Sequence, residues 1–336
     1  MPFEIVPAGT TINFLGRRKI CLVLSLLLIA LGIAAGFARG GIPMGIDFAG
    51  GTEIQLRFDE GVGVDESRIR GVAKGAGFLD ATVVRLGETA ANEFMIKYKD
   101  EREAGAAVPA GGQEADGLVS NTRVIQLENA LREAIGGFTE QRVEYVGPRV
   151  GEELREDGTN ALLLSAVMIM IYIAFRFSSR YAPGAVVAVI HDLAITGGLL
   201  VILGVEFDLR ILAAMLAILG YSLNDTIIIY DRIRENLELH TKVDLEEVLN
   251  TSVNQTLSRT VLTSITTLLA LLSLYVLGGE VIQPFAQAML IGVLVGTYSS
   301  IFIASPLLLF LEQRYGSGGQ GGGKKGSAGK PKPLQV

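Results

Sequence analysis

The sequence predicts a polytopic α-helical membrane protein with six transmembrane helices and a small α+β domain of ferredoxin-like order between the first helix and the second. Three observations predict it. Of the 336 residues, 49% are hydrophobic, and they gather into long uncharged blocks instead of spreading at helical or strand periods. One polar stretch is too long and too regularly patterned to be a loop. Basic residues cluster on alternate connections between the blocks, as they do in chains threaded through a bilayer.

Six blocks qualify as spans: 20–38, 159–175, 182–205, 211–230, 260–279 and 284–311. A helix needs about 17 to 25 apolar residues to cross the hydrocarbon core, and each block comes close to that or exceeds it. Positive charge gathers at Arg17, Arg18 and Lys19, at Arg176 and Arg180, at Arg232, Arg234 and Lys242, and at Arg314, Lys324, Lys325, Lys330 and Lys332. All four clusters fall on one side of a six-span zigzag. The opposite short loops carry Arg210 alone, and the 278–284 loop has no Lys or Arg. The positive-inside rule therefore puts both termini in the cytoplasm, with 1–19 a cytoplasmic N-terminus and 39–158 exported. The first span has a basic start like a secretion signal, but its apolar stretch exceeds the roughly 7 to 15 residues of a cleavable one, so it reads as a retained anchor. The net charge of −6 averages a polar domain with a bundle and says little. Cys21 is the single cysteine, which excludes an intramolecular disulfide and a thiolate-built metal site.

Within 39–158 the elements alternate in type. Glu53 to Phe58 reads as a half-buried strand, and Asp65 to Ala76 as a helix with an acidic cap and Ile69, Val72 and Ala73 on one face. Ala81 to Leu86 and Glu93 to Tyr98 are two more strands. The Gly-, Ala- and Pro-rich stretch from Ala104 to Gly117 reads as a flexible connection. Leu118 to Ile135 sets Val124, Leu127, Leu131 and Ile135 on a helix face, and Thr139 to Tyr145 is a closing strand. Strand, helix, strand, strand, helix, strand is the order of a ferredoxin-like sandwich. Beyond the last span, 312–336 reads as a disordered cytoplasmic tail, since from Gly316 it is mostly Gly, Ser, Lys and Pro. Asp231 to His240, with alternating charge, reads as a solvated helix.

The chemistry lies in charges that the apolar blocks retain. Asp192, Asp225 and Arg259 each sit inside or at the end of such a block. A charge at the centre of a membrane helix costs about 2.5 to 3.5 kcal/mol on insertion scales, so retained ones mark charge pathways. Asp225 lies in span four with Tyr221 and Ser222 four and three residues before it and Asn224 beside it, within reach to support the carboxyl. An aspartate that alternates between two environments takes up a proton in one and releases it in the other. Arg259 opens span five and is followed by a small polar stripe of Thr263, Thr266 or Thr267, and Ala270. Spans four and five run antiparallel, so Asp225 and Arg259 share a membrane half and are within reach of pairing; snorkelling of Arg259 to the interface is the alternative. Asp192 and His191 lie near the middle of span three beside Ala188, Thr196 and Gly197, and are open to two roles, proton relay or structural contact. Span six carries Gly292, Gly296 and Ser300 at four-residue spacing, a face for close helix packing.

These residues together resemble a known family. Gly45 to Thr52 (GIDFAGGT), Val146 to Leu154 (VGPRVGEEL), His191 with Asp192, Gly220 to Thr226 (GYSLNDT) running into Asp231 to Asn236 (DRIREN), and Arg259 within Ser258 to Thr263 are similar to the SecF family of the bacterial SecDF translocase accessory complex, in the resistance-nodulation-division superfamily. The resemblance covers nearly the whole chain apart from the tail and the Ala104 to Gly117 stretch. It implies a non-enzymatic protein-transport subunit of the inner membrane that pairs with SecD and associates with the SecY, SecE and SecG channel and with YajC. It implies that the proton gradient drives export of unfolded preprotein, with Asp225 and Arg259 as the coupling pair and without a cofactor. No nucleic-acid partner is implied.

Three other readings compete. A proton-driven exporter half for a small molecule or lipid shares the buried charges, but this chain has one small exported domain. An intramembrane aspartyl protease using Asp192 and Asp225 lacks the expected G-x-G-D, since Ser222, Leu223 and Asn224 precede Asp225. A structural scaffold of the channel differs from the transporter in being indifferent to protons.

Overall fold

The computed structural model describes residues 7, 10–59, 61–87, 92–99, 112–176, 181–240 and 243–315. Two compact units emerge: Met1–Ile42, Ala161–Val205 and Arg210–Val336 form one, and Pro43–Asn160 with Glu206–Leu209 form the other. The first holds the helices long and apolar enough to cross a membrane, six among the described residues.

The second unit is a four-stranded antiparallel sheet with two helices. Its strands β1 (Gly51–Phe58), β2 (Thr82–Leu86), β3 (Glu93–Tyr98) and β4 (Phe138–Val146) lie in the order β2-β3-β1-β4. That is the order the ferredoxin-like pattern requires. Register follows the pleat: Ile54 faces Ile96 on one side and Val143 on the other, so alternate residues of β1 share the core face. Ile54, Leu56, Phe58, Phe94 and Ile96 are buried there with Ile69 and Ala73 of α3 (Glu66–Gly75) and Leu127 and Leu131 of α4 (Gly112–Ala134). Phe58 meets Phe94 and Phe138 edge-on at 5.7 and 5.4 Å. Asp65 caps α3 by accepting from the Arg68 N–H at 2.7 Å, as a short acidic side chain before a helix should.

A single helical turn, α2 (Ile46–Ala49), leads into β1 through Gly50 and Gly51 at φ +73° and +141°. Glycine tolerates these angles, and here it also gives access. A Cβ on Gly50 would stand 2.9 Å from the Pro148 Cα, and one on Gly51 2.6 Å from the Tyr98 carbonyl. Pro148 opens the next helix, α5, so the glycine pair lets β1 start directly against it.

The spanning helices are α1 (Arg18–Ala38, preceded by a short turn from Leu15), α5 (Pro148–Arg176), α6 (Ala182–Leu203), α7 (Leu209–Leu239), α8 (Leu245–Leu277) and α9 (Gly279–Ser299). The last continues through a π-helical turn, Ser300–Ala304, into α10 (Ser305–Tyr315). The spans most enclosed by protein are α6, α7 and the last, whereas α1, α5 and α8 turn apolar residues such as Leu26, Phe175 and Leu269 outward. Helices α1 and α6 meet at Gly32 and Gly198, where a Cβ on Gly32 would lie 2.6 Å from the Gly198 Cα. Such close backbone approach is what small residues permit in lipid, where no hydrophobic drive holds helices together.

The helices run past the apolar windows. Asp231 to Leu239 continues α7 without a break, making 31 residues, about 46 Å at 1.5 Å per residue and longer than the ~30 Å hydrocarbon core. The helix that carries span five likewise begins ahead of the apolar window, at Leu245, capped by Asp244. In the second unit α4 begins at Gly112, so the end of the stretch expected to be flexible is helical, while 104–111 lies outside the described residues. At the C-terminus α10 reaches Tyr315; the rest of the expected tail, 316–336, lies outside the described residues.

Candidate functional site

The inward face of α7 repeats at helical spacing: Leu219, Ser222, Asp225, Thr226, Ile229 and Tyr230 are all buried. This face carries a hydroxyl and a carboxylate one turn apart, enclosed by apolar neighbours. Two separate arrangements form around them.

The first centres on Asp192 of α6, which is 1% exposed. Its Oδ1 lies 2.8 Å from His191 Nδ1, while its Oδ2 accepts from Ser299 Oγ at 2.7 Å and from Ser222 Oγ. Three helices are thereby tied at one carboxylate. The approach depends on glycine, since a Cβ on Gly296 would lie 3.0 Å from the Ser222 Cβ and one on Gly292 2.3 Å from Ile218. The π turn begins one residue after Ser299, and such bulges often mark functional sites. Ser305 Oγ donates to the Ser300 carbonyl at 3.0 Å, and Tyr230 Oη donates to the Ala304 carbonyl at 3.1 Å, so polar side chains steady both ends of the widened turn. Gly184 makes room for that phenol; a Cβ there would sit 2.4 Å from Oη.

The second arrangement is Asp225 itself. It too is 1% exposed, yet neither carboxylate oxygen has a hydrogen-bond partner among the described residues. The positive charge it feels is that of Arg259 on α8, but no ion pair joins the two, and Arg259 is exposed. The expected pairing is thus an electrostatic proximity and not a salt bridge.

The polar support expected for Asp225 is absent as well. Ser222 shares its face, but its hydroxyl is taken by Asp192. Asn224 is exposed, because its place on the helix turns it away from the buried stripe. Tyr221 Oη is buried without a partner. Thr263 turns back on its own helix, donating to the Arg259 and Thr260 carbonyls at 3.0 Å each. Other buried polar atoms of these helices also stand unpaired among the described residues: Tyr221 Oη on α7, Thr260 Oγ1 beside Arg259 in the sequence of α8, and Thr196 Oγ1 one turn after Asp192 on α6. Native interiors rarely leave such groups unsatisfied without a functional reason.

Sequence reasoning missed Ser299 and its neighbour Tyr298, whose hydroxyl donates to the Cys21 carbonyl at 2.7 Å. Four-residue spacing from Gly292 and Gly296 points to Ser300. Ser299, three residues after Gly296, is the side chain that reaches the carboxylate. Its one signal was its place in a run of small polar residues within an apolar span.

Comparison with known proteins identifies the family. The model for "Protein export membrane protein SecD/SecF, C-terminal" matches residues 126–314, and that for the "SecD/SecF GG Motif" matches residues 37–62. The chain belongs to the SecD/SecF family. Among its curated relatives, the protein translocase subunit SecF of Pseudomonas aeruginosa is 42% identical over 90% of this chain and 92% of its own. That of Magnetococcus marinus is 44% identical over 92% and 94%. A solved structure, SecDF of Thermus thermophilus, described as a translocon-associated membrane protein, matches with a TM-score of 0.77 and 36% identity over 93% of this chain. The chain spans 40% of that SecDF chain. The match takes in both the multi-pass membrane unit and the α+β unit, and the SecF role in protein translocation follows from it. The residues matched by the SecD/SecF GG motif, 37–62, include the Gly50–Gly51 turn that sets β1 against Pro148.

Proposed function

We propose that this chain is the SecF-type half of a proton-driven unit that assists export of unfolded polypeptide, with Asp225 as the group that carries the proton and Arg259 as its counter-charge. The observation that carries the reading is a carboxylate enclosed in the bundle, without hydrogen bonds, next to an arginine that does not pair with it. A buried carboxylate with neither bonds nor an ion pair is costly as a permanent anion, so the site suits a group that is protonated during part of a cycle. By contrast, Asp192 has both oxygens occupied, which favours holding α6, α7 and the last helix together over relaying protons with His191.

Partner and orientation follow from the same reading. Six helices resemble one half of a transporter built from two repeats, and the chain spans two fifths of a SecDF chain, so a SecD subunit is the expected other half. The SecY, SecE and SecG channel and YajC are the wider partners. The basic clusters support cytoplasmic termini and an α+β unit on the far side of the bacterial inner membrane. There it holds the emerging chain against back-sliding, driven by protons without a cofactor. One charge falling through 100 mV releases about 2.3 kcal/mol, a bias of about fifty-fold on a two-state movement.

The test is export of a secreted reporter into inverted vesicles containing this chain with SecD, with and without a proton gradient. Asp225→Asn keeps the side-chain volume and removes titration. The expected result is loss of the gradient-dependent part alone, at normal complex yield. Unchanged gradient dependence would make the chain a scaffold of the channel instead.

A further inference from the structure

The connection between α6 and α7, Glu206–Leu209, folds with the α+β unit, although the helices it joins belong to the bundle. Three kinds of bond fasten it. The Phe207 N–H donates to the Pro43 carbonyl at 2.7 Å and the Phe207 carbonyl accepts from the Gly45 N–H at 2.8 Å, a parallel bridge with Met44 opposite Phe207. Lys97 Nζ on β3 reaches Glu206 at 2.7 Å. The Leu209 N–H, at the start of α7, donates to Asp47 Oδ2 at 3.0 Å.

Each attachment has a local cause. Gly45 is the point of closest approach, since a Cβ there would stand 3.2 Å from the Asp208 Cβ and 3.3 Å from the Phe207 carbonyl. Any side chain at 45 would push the segment away. The first N–H groups of a helix have no partner within it, and here one is satisfied by a carboxylate 162 residues earlier in the chain. Asp47 itself sits in α2, immediately before the Gly50–Gly51 turn into the central strand β1. The other end of the connection is covalent: Leu209 opens the unbroken helix that carries Ser222 and Asp225.

We propose that Glu206–Leu209 is the strap that couples the two units. In this view Asp47, Lys97 and Glu206 are positioning residues that pass a displacement of α7 on to β1 and its sheet. A helix is stiff along its axis, so movement at Asp225 arrives at Leu209 nearly undiminished. The three attachments then deliver it to the domain's central strand and its neighbour β3, and not to a free loop. The inference rests on the proton-coupling reading of Asp225 given above.

The test is the same vesicle export, using the full chain with SecD. Asp47→Ala removes the acceptor of the Leu209 N–H, whereas Asp47→Asn keeps an oxygen there. The expected result is that Asp47→Ala loses the gradient-dependent part of export at normal complex yield and Asp47→Asn retains it. In a Cys21→Ser background, Met44→Cys/Phe207→Cys places thiols on paired positions within disulfide range. Once thiol labelling shows the bond formed, oxidation should restore gradient dependence to Asp47→Ala. The strap is overturned if Asp47→Ala keeps full gradient dependence, if Asp47→Asn fails as badly as Asp47→Ala, or if the formed disulfide rescues nothing. Asp225→Asn runs alongside. If it keeps gradient dependence, the proton reading fails and the strap, with nothing to transmit, falls with it. If it loses gradient dependence and Asp47→Ala does not, the strap alone falls.

Discussion

Asp192→Ala tests the three-helix tie directly. The substitution removes the acceptor for Ser222 and Ser299 and the partner of His191, three interactions in all. In water-soluble proteins, hydrogen bonds to a charged group contribute about 1.5–3 kcal/mol each, which would sum to about 5–9 kcal/mol. Inside a membrane the measured average is about 0.6 kcal/mol with a maximum near 1.7, because a chain unfolded within lipid also finds partners. The membrane figure governs here, since all three groups lie within spanning helices. The expected loss is therefore about 2 kcal/mol, and about 5 at the upper limit. Reversible unfolding of the full chain in mixed micelles with rising SDS measures it. Asp192→Asn retains an oxygen for the two serine hydroxyls and should lose less than half as much. A change below about 0.5 kcal/mol for Asp192→Ala would show that the carboxylate does not tie the helices, since that is the scatter of inconsequential surface changes. If Asp192→Asn abolished gradient-dependent export while leaving stability intact, Asp192 would relay protons with His191 as well as tie the helices.

Two further outcomes follow from packing and charge. Gly32→Leu should destabilise the bundle by about 1–3 kcal/mol, as overpacking does, because the obstruction is the Gly198 backbone, which cannot swing aside; Gly36→Leu, with nothing within 4 Å, is the control, and equal effects in micelle unfolding would refute the Gly32–Gly198 contact. In the α+β unit, burial and then the Glu140 carboxylate raise the Glu128 pKa above its ordinary value. The folded domain therefore binds a proton that the unfolded chain has released, and its stability falls as pH rises from the ordinary glutamate range through the raised value. Glu128→Gln should protect the β1 and β3 amides from hydrogen exchange at neutral pH and flatten that pH dependence; an unchanged exchange profile would count against the repulsion.

Much of the fold is legible along the chain because its signals are local. A bilayer demands a run of apolar residues in each span, and a half-buried strand demands alternation, so six spans and the order of strands and helices can be counted directly. Helix ends are less legible. Hydropathy marks where lipid lies, not where hydrogen bonding stops, and α7 runs on through Asp231–Leu239, whose charges suit a solvated helix as well as a loop. Pro109 and the glycines in Ala104 to Gly117 weigh toward flexibility, yet the helix already begins at Gly112.

The site divides in the same way. Sequence alone determined that this chain keeps Asp192, Asp225 and Arg259 in apolar surroundings, because the cost of a charge in hydrocarbon makes any exception conspicuous. Only the tertiary structure decided which of them are bound. Ser222 is three residues from Asp225 yet gives its hydroxyl to Asp192, 30 residues away, and Ser299 reaches the same carboxylate from 107 residues away. Helical spacing says which residues share a face, but not which neighbour that face meets. The glycine contacts at Gly292 and Gly296 and the π turn after Ser299 set that rotation. The tie is therefore closed at Asp192 while the Asp225 carboxylate is left without a hydrogen bond.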